Sequence, residues 1–179
     1  MPLFYTRKGD DGSSHVGKKK IKKTNPFVEA LGQLDELNSM LGVIKTMKVR
    51  PSLKTILHDA QESLFIIQAH LAYLMLKEKR TPPLFNKDKV RELEVIIDKI
   101  EAKINPAKKF VISGTTHVSA WLDLLRAKSR NAERMVLRAD RNEKLNHEIR
   151  KYLNRLSSLF FALARDEAGN KKEKHPSYK

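Results

Sequence analysis

Arg126, Arg130 and Arg134 stand four residues apart in the stretch R-A-K-S-R-N-A-E-R, so a helix would carry them as one stripe with Glu133 beside it. Val118, Trp121, Leu122, Leu125, Ala132, Met135 and Val136 fall on the other side and are apolar enough to bury that helix against a core. A helix anchored on one face, with guanidinium groups aligned on the other, suits a ligand carrying several phosphates. Arg presents planar, permanently charged donor forks that match phosphate oxygens. In so basic a chain the same stripe also describes a solvated charged face. Spacing alone leaves both readings open.

A second set of residues with phosphate chemistry lies near the start. Gly12 to Lys18 has most of a Walker A pattern, but Lys19 stands where a Mg2+-binding Ser or Thr is required, and no strand–loop–helix context surrounds it. A P-loop fold is therefore set aside. The wider run Thr6-Arg7-Lys8-Gly9-Asp10-Asp11-Gly12-Ser13-Ser14 still holds glycines for close backbone approach, hydroxyls and cations, with Asp10 as a candidate partner for a metal-bound water. A solvated turn accounts for the same residues. Asp35-Glu36 interrupt an inward stripe beside Leu31 and Leu34, so they are either paired, an Arg of the arginine-bearing helix being available, or ordinary surface acids. Asn154, between Leu153 and Leu156, is either a satisfied core amide or a ligand contact. The six histidines (His15, His58, His70, His117, His147, His175) make no H-E-x-x-H pattern, and no Glu-x-x-His pair occurs, which leaves metal chemistry through protein ligands without support.

The elements that must position these residues are helical. Asn25-Pro26 reads as an N-cap with proline at the first helical position, opening a helix through Phe27, Leu31, Leu34, Asn38 and Leu41 that ends before Pro51. A second helix runs from Ser52 to about Glu78 and is closed by Pro82-Pro83. A third, capped by Asn86 or Asp88, runs from about Lys87 to Ile104. Phe110-Val111-Ile112 forms a short apolar connector, and Ser113 to Thr116 supplies cap chemistry for a fourth helix, Thr116 to about Ala139. Asp140-Arg141-Asn142 breaks to a fifth, about Glu143 to Glu167. The expectation is an all-α five-helix bundle forming a single domain, 1–179, with an irregular segment over 1–25, the bundle over 26–168 and a loose basic tail over 169–179. At 179 residues one domain buries an adequate core, and without cysteine there is no disulfide or thiolate site. No apolar run reaches membrane-span length and Met1 to Gly9 lacks a secretory apolar segment, so a soluble, cytoplasmic protein without membrane attachment is expected.

Four ordered blocks together resemble the PduO-type ATP:cob(I)alamin (corrinoid) adenosyltransferases: Tyr5 to Ser14, Val28 to Asn38, Phe110 to Arg134, and Tyr152 to Ser157. The resemblance covers residues 4 to 168. It implies a homotrimer whose sites lie where subunits meet, with ATP, Mg2+ on its phosphates and cobalamin bound there, and a cobalamin reductase as a further partner. It also implies that Thr6, Arg7, Lys8, Gly9, Asp10, Ser14, His15 and Lys23 wrap the nucleotide together with Arg130, Glu133, Arg134 and Asn154. Asp35 and Arg126 match a salt bridge that places the corrin, and Phe110 matches an aromatic side chain that crowds the corrin's lower face. Arg126, Arg130, Asp35 and Phe110 are thereby the residues expected to carry catalysis, and no metal is expected to be held by protein side chains alone. The chemistry fits the residue types, because the corrin cobalt is itself the nucleophile and the protein need supply only positioning and positive charge. The chain departs from the family pattern at Lys8, Ser113, Thr115, His117, Asp123 and Asn131.

Two other readings come from different classes. A non-catalytic cobalamin or nucleotide carrier on the same scaffold would explain the departures. A nucleic-acid-binding bundle is suggested by 36 Lys plus Arg against 21 Asp plus Glu, a net charge of +15, yet no helix-turn-helix or aromatic stacking platform accompanies it.

Overall fold

Asn25 and Pro26 begin the first long helix as their types require: the Asn25 side chain accepts from the Phe27 N–H at 2.9 Å, and proline occupies the first turn, where its missing N–H costs nothing. The computed structural model of the chain describes residues 4, 5, 7–77, 81–105, 109–169 and 173–178. Its helices are α1 (Pro26–Thr46), α2 (Pro51–Leu76), α3 (Asp88–Ile104), α4 (His117–Ala139) and α5 (His147–Ala168). The expected all-α bundle of five helices is the observed fold.

The helices pack in the order α2–α1–α4–α5–α3. Side-chain pairs give the directions. Glu36 with Lys128 and Gln33 with Asn131 make α1 and α4 antiparallel, Asp123 with Arg165 and Glu133 with Asn154 do the same for α4 and α5, and Glu94 with Arg155 and Lys103 with Asp166 make α3 parallel to α5. The core runs through the middle of this arrangement: Leu34 and Leu41 of α1, Leu57 and Leu64 of α2, Leu122 and Val136 of α4, and Leu156 and Phe160 of α5 are fully buried. Each such side chain contributes about 1.5–3 kcal/mol of transfer free energy. Held between α1 and α5, α4 is fixed on two flanks and open on the third.

Three expectations are corrected. The segment over 1–25 is not wholly irregular, since β1 (Ser13–Val16) pairs antiparallel with β2 (Lys19–Lys22), Ser13 opposite Lys22 and Val16 opposite Lys19. Gly17 takes the positive φ of 58° that lets so short a connection turn. The hairpin is tethered to the bundle where the Lys19 ammonium donates to the Leu76 carbonyl at the end of α2. The second correction concerns α5, which begins at His147 rather than near Glu143. Buried Asp140 accepts from the N–H groups of Lys144 and Leu145 at 2.9 and 3.1 Å and pairs with Arg150 at 2.6 Å, holding the chain in a turn until Asn146 caps the helix. The Arg150 guanidinium donates to Asp140, and that hydrogen bond raises the Arg150 pKa above its ordinary value. Thirdly, residues 173–175 of the tail are not loose: Glu173 pairs with Arg165, and the Lys174 carbonyl accepts from the Ile112 N–H at 2.8 Å. The helix expected to end before Pro51 stops at Thr46, and the remaining helix ends lie within two residues of the expected ones.

Candidate functional site

Thr116 starts α4 with a reciprocal capping box, its hydroxyl accepting from the Ser119 N–H at 3.0 Å while the Ser119 hydroxyl accepts from the Thr116 N–H at 2.8 Å. From this fixed start the arginine stripe runs down the open flank. Arg126 is half-buried, its Nε enclosed without a hydrogen-bond partner, and Arg130 is exposed and engages no acceptor among the described residues. Arg134 is exposed, with only a 3.5 Å contact to the Asn131 side chain. Arg126 and Arg130 lie on a cavity of about 480 Å³ between α3, α4 and α5, walled by Ile97, Ile100, Ile104 and Phe161 and carrying the hydroxyls of Ser157 and Ser158. One carboxylate, Glu101, also lines the cavity but forms no ion pair with either guanidinium among the described residues, so the two together leave net positive charge facing a largely apolar hollow.

The third arginine on that cavity behaves differently. Arg165 of α5 is buried, pairs with Asp123 at 2.6 Å and Glu173 at 2.7 Å, and lies 5.0 Å from the Phe161 ring centre. Its charge is answered within the chain, so Arg126 and Arg130 alone are left to a ligand.

The N-terminal segment folds as a grip built from its own backbone. Gly12, at a φ of 79°, donates to the Gly9 carbonyl at 3.3 Å, and the Lys23 ammonium donates to the same carbonyl at 2.9 Å. Asp11 accepts from Ser13 and pairs with Lys20, and those contacts, the Lys20 one first, hold its carboxyl well below the usual carboxylate range. Arg7 adopts the left-handed φ of 59° that non-glycine residues seldom take, with its guanidinium 5.4 Å from the Tyr5 ring centre. Lys8, Asp10 and His15 are exposed and Ser14 is half-buried. Thr6 lies outside the described residues. None of Arg7, Gly9, Asp10, Ser14, His15 and Lys23 makes a polar contact with α4 or α5. Among the described residues these six are thus not joined to Arg130, Glu133, Arg134 or Asn154 by a hydrogen bond or ion pair.

Glu133 and Asn154 do meet. The Asn154 amide donates to the Glu133 carboxylate at 3.1 Å across the α4–α5 groove and accepts from Arg155 at 3.0 Å, and it is exposed rather than buried in the core. Of the two acids on α1, Glu36 takes a partner from α4, Lys128 at 2.6 Å and not an Arg. Asp35 is exposed and forms no ion pair, so the expected Asp35–Arg126 bridge is absent within the chain: Glu36 sits opposite α4, Asp35 is turned one residue away, and Arg126 lies on the cavity. Phe110 projects from the connector with 79% of its surface exposed and is not among the cavity walls. Among the described residues no three His, Cys, Asp or Glu side chains gather to hold a metal, and no helix is long and apolar enough to cross a membrane.

The profile of a family described as Cobalamin adenosyltransferase matches residues 4–167. The chain belongs to that family. It is 37% identical over 168 residues to the corrinoid adenosyltransferase of Citrobacter freundii, 93% of this chain and 96% of that one. It is 31% identical over 165 residues to corrinoid adenosyltransferase PduO of the same organism, 92% of this chain but 49% of that protein, so it spans about half the length of PduO. Among solved structures it is similar, with a TM-score of 0.88 and 29% identity, to a variant PduO-type ATP:corrinoid adenosyltransferase from Lactobacillus reuteri complexed with cobalamin and ATP, covering 97% of this chain and 96% of that one.

Within this cobalamin adenosyltransferase fold, sequence reasoning missed the Asp123–Arg165–Glu173 cluster and Phe161. Phe161 and Arg165 are four residues apart on α5, the spacing at which a cation and a ring share a helix face, and that was the available signal. Glu173 carried no signal, because its partner lies on a different element.

Proposed function

We propose that this chain transfers the 5′-deoxyadenosyl group of ATP to the cobalt of a cobalt(I) corrinoid, releasing triphosphate. The cobalt electron pair forms the new Co–C5′ bond while the C5′–O bond breaks, and its electrons leave with the triphosphate. No protein nucleophile is needed. What the chain supplies is a rigid cationic flank for a leaving group that gains negative charge. The observation that carries this reading is the pair of unpartnered guanidinium groups, Arg126 and Arg130, on the cavity between α3, α4 and α5. Arg130 and Arg134 take the triphosphate, Glu133 and Asn154 form the polar floor beside it, and the segment from Thr6 to His15 with Lys23 closes over the nucleotide.

Mg2+ fits as an ion that arrives on the nucleotide, since Asp10 is exposed and free to accept from a metal-bound water. Bound there it would neutralise phosphate charge. The site is completed between copies of the chain in a homotrimer. Two features support this: Arg7, Gly9, Asp10, Ser14, His15 and Lys23 share no polar contact with the α4 flank among the described residues, and Asp35 and Arg126 each lack the opposite charge that the other carries. Phe110, exposed on its connector, then walls the corrin's lower face, excludes water and an axial base, and eases reduction of cobalt(II) by a separate reductase.

One observation favours a carrier instead. Asn131 spends its amide on Gln33 of α1 at 2.5 Å and brings no further cation to the stripe. An anaerobic assay decides between the two. Chemically reduced cob(I)alamin is mixed with Mg-ATP and the loss of its absorbance is followed. Turnover that disappears in Arg130→Ala establishes the transferase, whereas saturable ATP binding without turnover establishes the carrier.

A further inference from the structure

Phe110 through Ile112 is an irregular connector, and among the described residues only two hydrogen bonds fix it, both from the tail. The Ile112 N–H donates to the Lys174 carbonyl at 2.8 Å, and His175 Nδ1 lies 2.8 Å from the Phe110 carbonyl. A carbonyl only accepts, so Nδ1 carries the proton. The tail is itself anchored one residue earlier, where Glu173 reaches the buried Arg165 at 2.7 Å and Arg165 reaches the buried Asp123 of α4 at 2.6 Å. A continuous set of contacts thus runs from the helix that carries the arginine stripe, through α5 and the tail, to the backbone of the exposed Phe110. We propose that Glu173 and His175 are positioning residues that set where the Phe110 ring stands, with the Asp123–Arg165–Glu173 cluster as the anchor of this strap.

The physical argument is one of freedom removed in advance. An exposed aromatic side chain on an unrestrained connector samples many placements, and a wall against one face of a planar substrate works only from a narrow set of them. Carbonyl and N–H groups of the connector taken up by the tail restrict that set before any substrate arrives. The charges also suit a strap: Arg165 retains Asp123 when Glu173 is removed, so the tail can be released without leaving a bare cation in the bundle.

The inference rests on the reading that Phe110 faces the corrin, and the test separates the two. Glu173→Gln and His175→Phe are made in the full chain, with Glu173→Asp, His175→Asn and Phe110→Ala as references. Adenosylation is measured from chemically reduced cob(I)alamin and from cob(II)alamin reduced in place. The optical spectrum of bound cob(II)alamin is recorded for coordination of its axial base, together with Tm. Glu173→Gln and His175→Phe are expected to lower kcat of the cobalt(II)-started reaction about tenfold and to raise the base-coordinated fraction, with KM for ATP unchanged. The cobalt(I)-started rate should stay within about twofold, and His175→Asn, which restores a donor, should recover most of the loss. Parallel loss of both rates together with Tm would overturn the strap and leave ordinary packing. So would normal cobalt(II)-started turnover in both strap variants while Phe110→Ala is impaired. An unimpaired Phe110→Ala would instead remove the role of Phe110 and the strap along with it.

Discussion

Replacing Asp123 with Asn takes one charge out of a pair sealed between α4 and α5, and the surroundings set the cost. The Arg165 and Asp123 side chains are 4% and 5% exposed and approach to 2.6 Å. Removing one member of such a pair costs about 3–5 kcal/mol, because the other ion stays buried without its counter-charge. Two neighbours soften the loss here. Glu173 stands 2.7 Å from the same guanidinium, and the Phe161 ring, 5.0 Å away, offers its negative face. The expected cost is therefore nearer 2–3 kcal/mol, or roughly 5–10 °C in Tm for a chain of this size. Thermal unfolding followed by circular dichroism at neutral pH measures it. An Asp123→Leu/Arg165→Met double variant separates charge from packing: with both ions replaced by apolar side chains, most of the lost stability should return. An Asp123→Asn protein within about 0.5 kcal/mol of the parent, or a double variant less stable than the single, would refute the reasoning.

Three further outcomes are expected. Burial pushes the Tyr152 hydroxyl up to about 12 from its ordinary 10.0, so its contribution to stability is complete below pH 10 and is lost as pH rises toward 12; the gap amounts to about 3 kcal/mol. Tyr152→Phe should abolish that part of the alkaline loss in urea titrations, and parallel curves for both proteins would contradict it. Arg130→Ala should lower kcat about 100- to 1000-fold with Tm unchanged, since this side chain has no partner among the described residues; a large fall in Tm would move Arg130 from site to scaffold. Asp35→Arg and Arg126→Asp should each impair corrinoid use and assembly, measured by KM and sedimentation, while the two together restore both. A double variant no better than either single would remove the pairing between copies.

The bundle was legible because its signals are local and repeated. Asn25-Pro26, Thr116 with Ser119, and leucines at helical spacing each fix an element boundary or a face within a few residues. The arginine stripe was legible for the same reason. The hairpin was not, since two four-residue strands of mostly polar residues carry too little alternation to separate from a loop. The late start of α5 depended on Asp140 turning back onto the N–H groups of Lys144 and Leu145, a hydrogen-bond choice that composition does not reveal. The sequence also raised Asp35-Glu36 as a possible pair without saying which acid faces α4. One residue is about 100° of helix rotation, enough to give Glu36 to Lys128 and leave Asp35 outside.

Arg50, in the short joint between α1 and α2, bridges to both Asp166 and Glu167, and Lys103 at the end of α3 donates to Asp166 at 2.7 Å. Burial works to raise the Asp166 carboxyl, and Lys103 and Arg50 together outweigh it and hold it low. The bridge from Arg50 to Asp166 spans 116 positions of sequence. This gives the chain an order of assembly. The hairpin of α1 and α2 can form early from near neighbours, but the corner where it turns has its counter-charges only on the last turn of α5. During synthesis that corner stays open until α5 has emerged, so the bundle should acquire its resistance to proteolysis late and in one step.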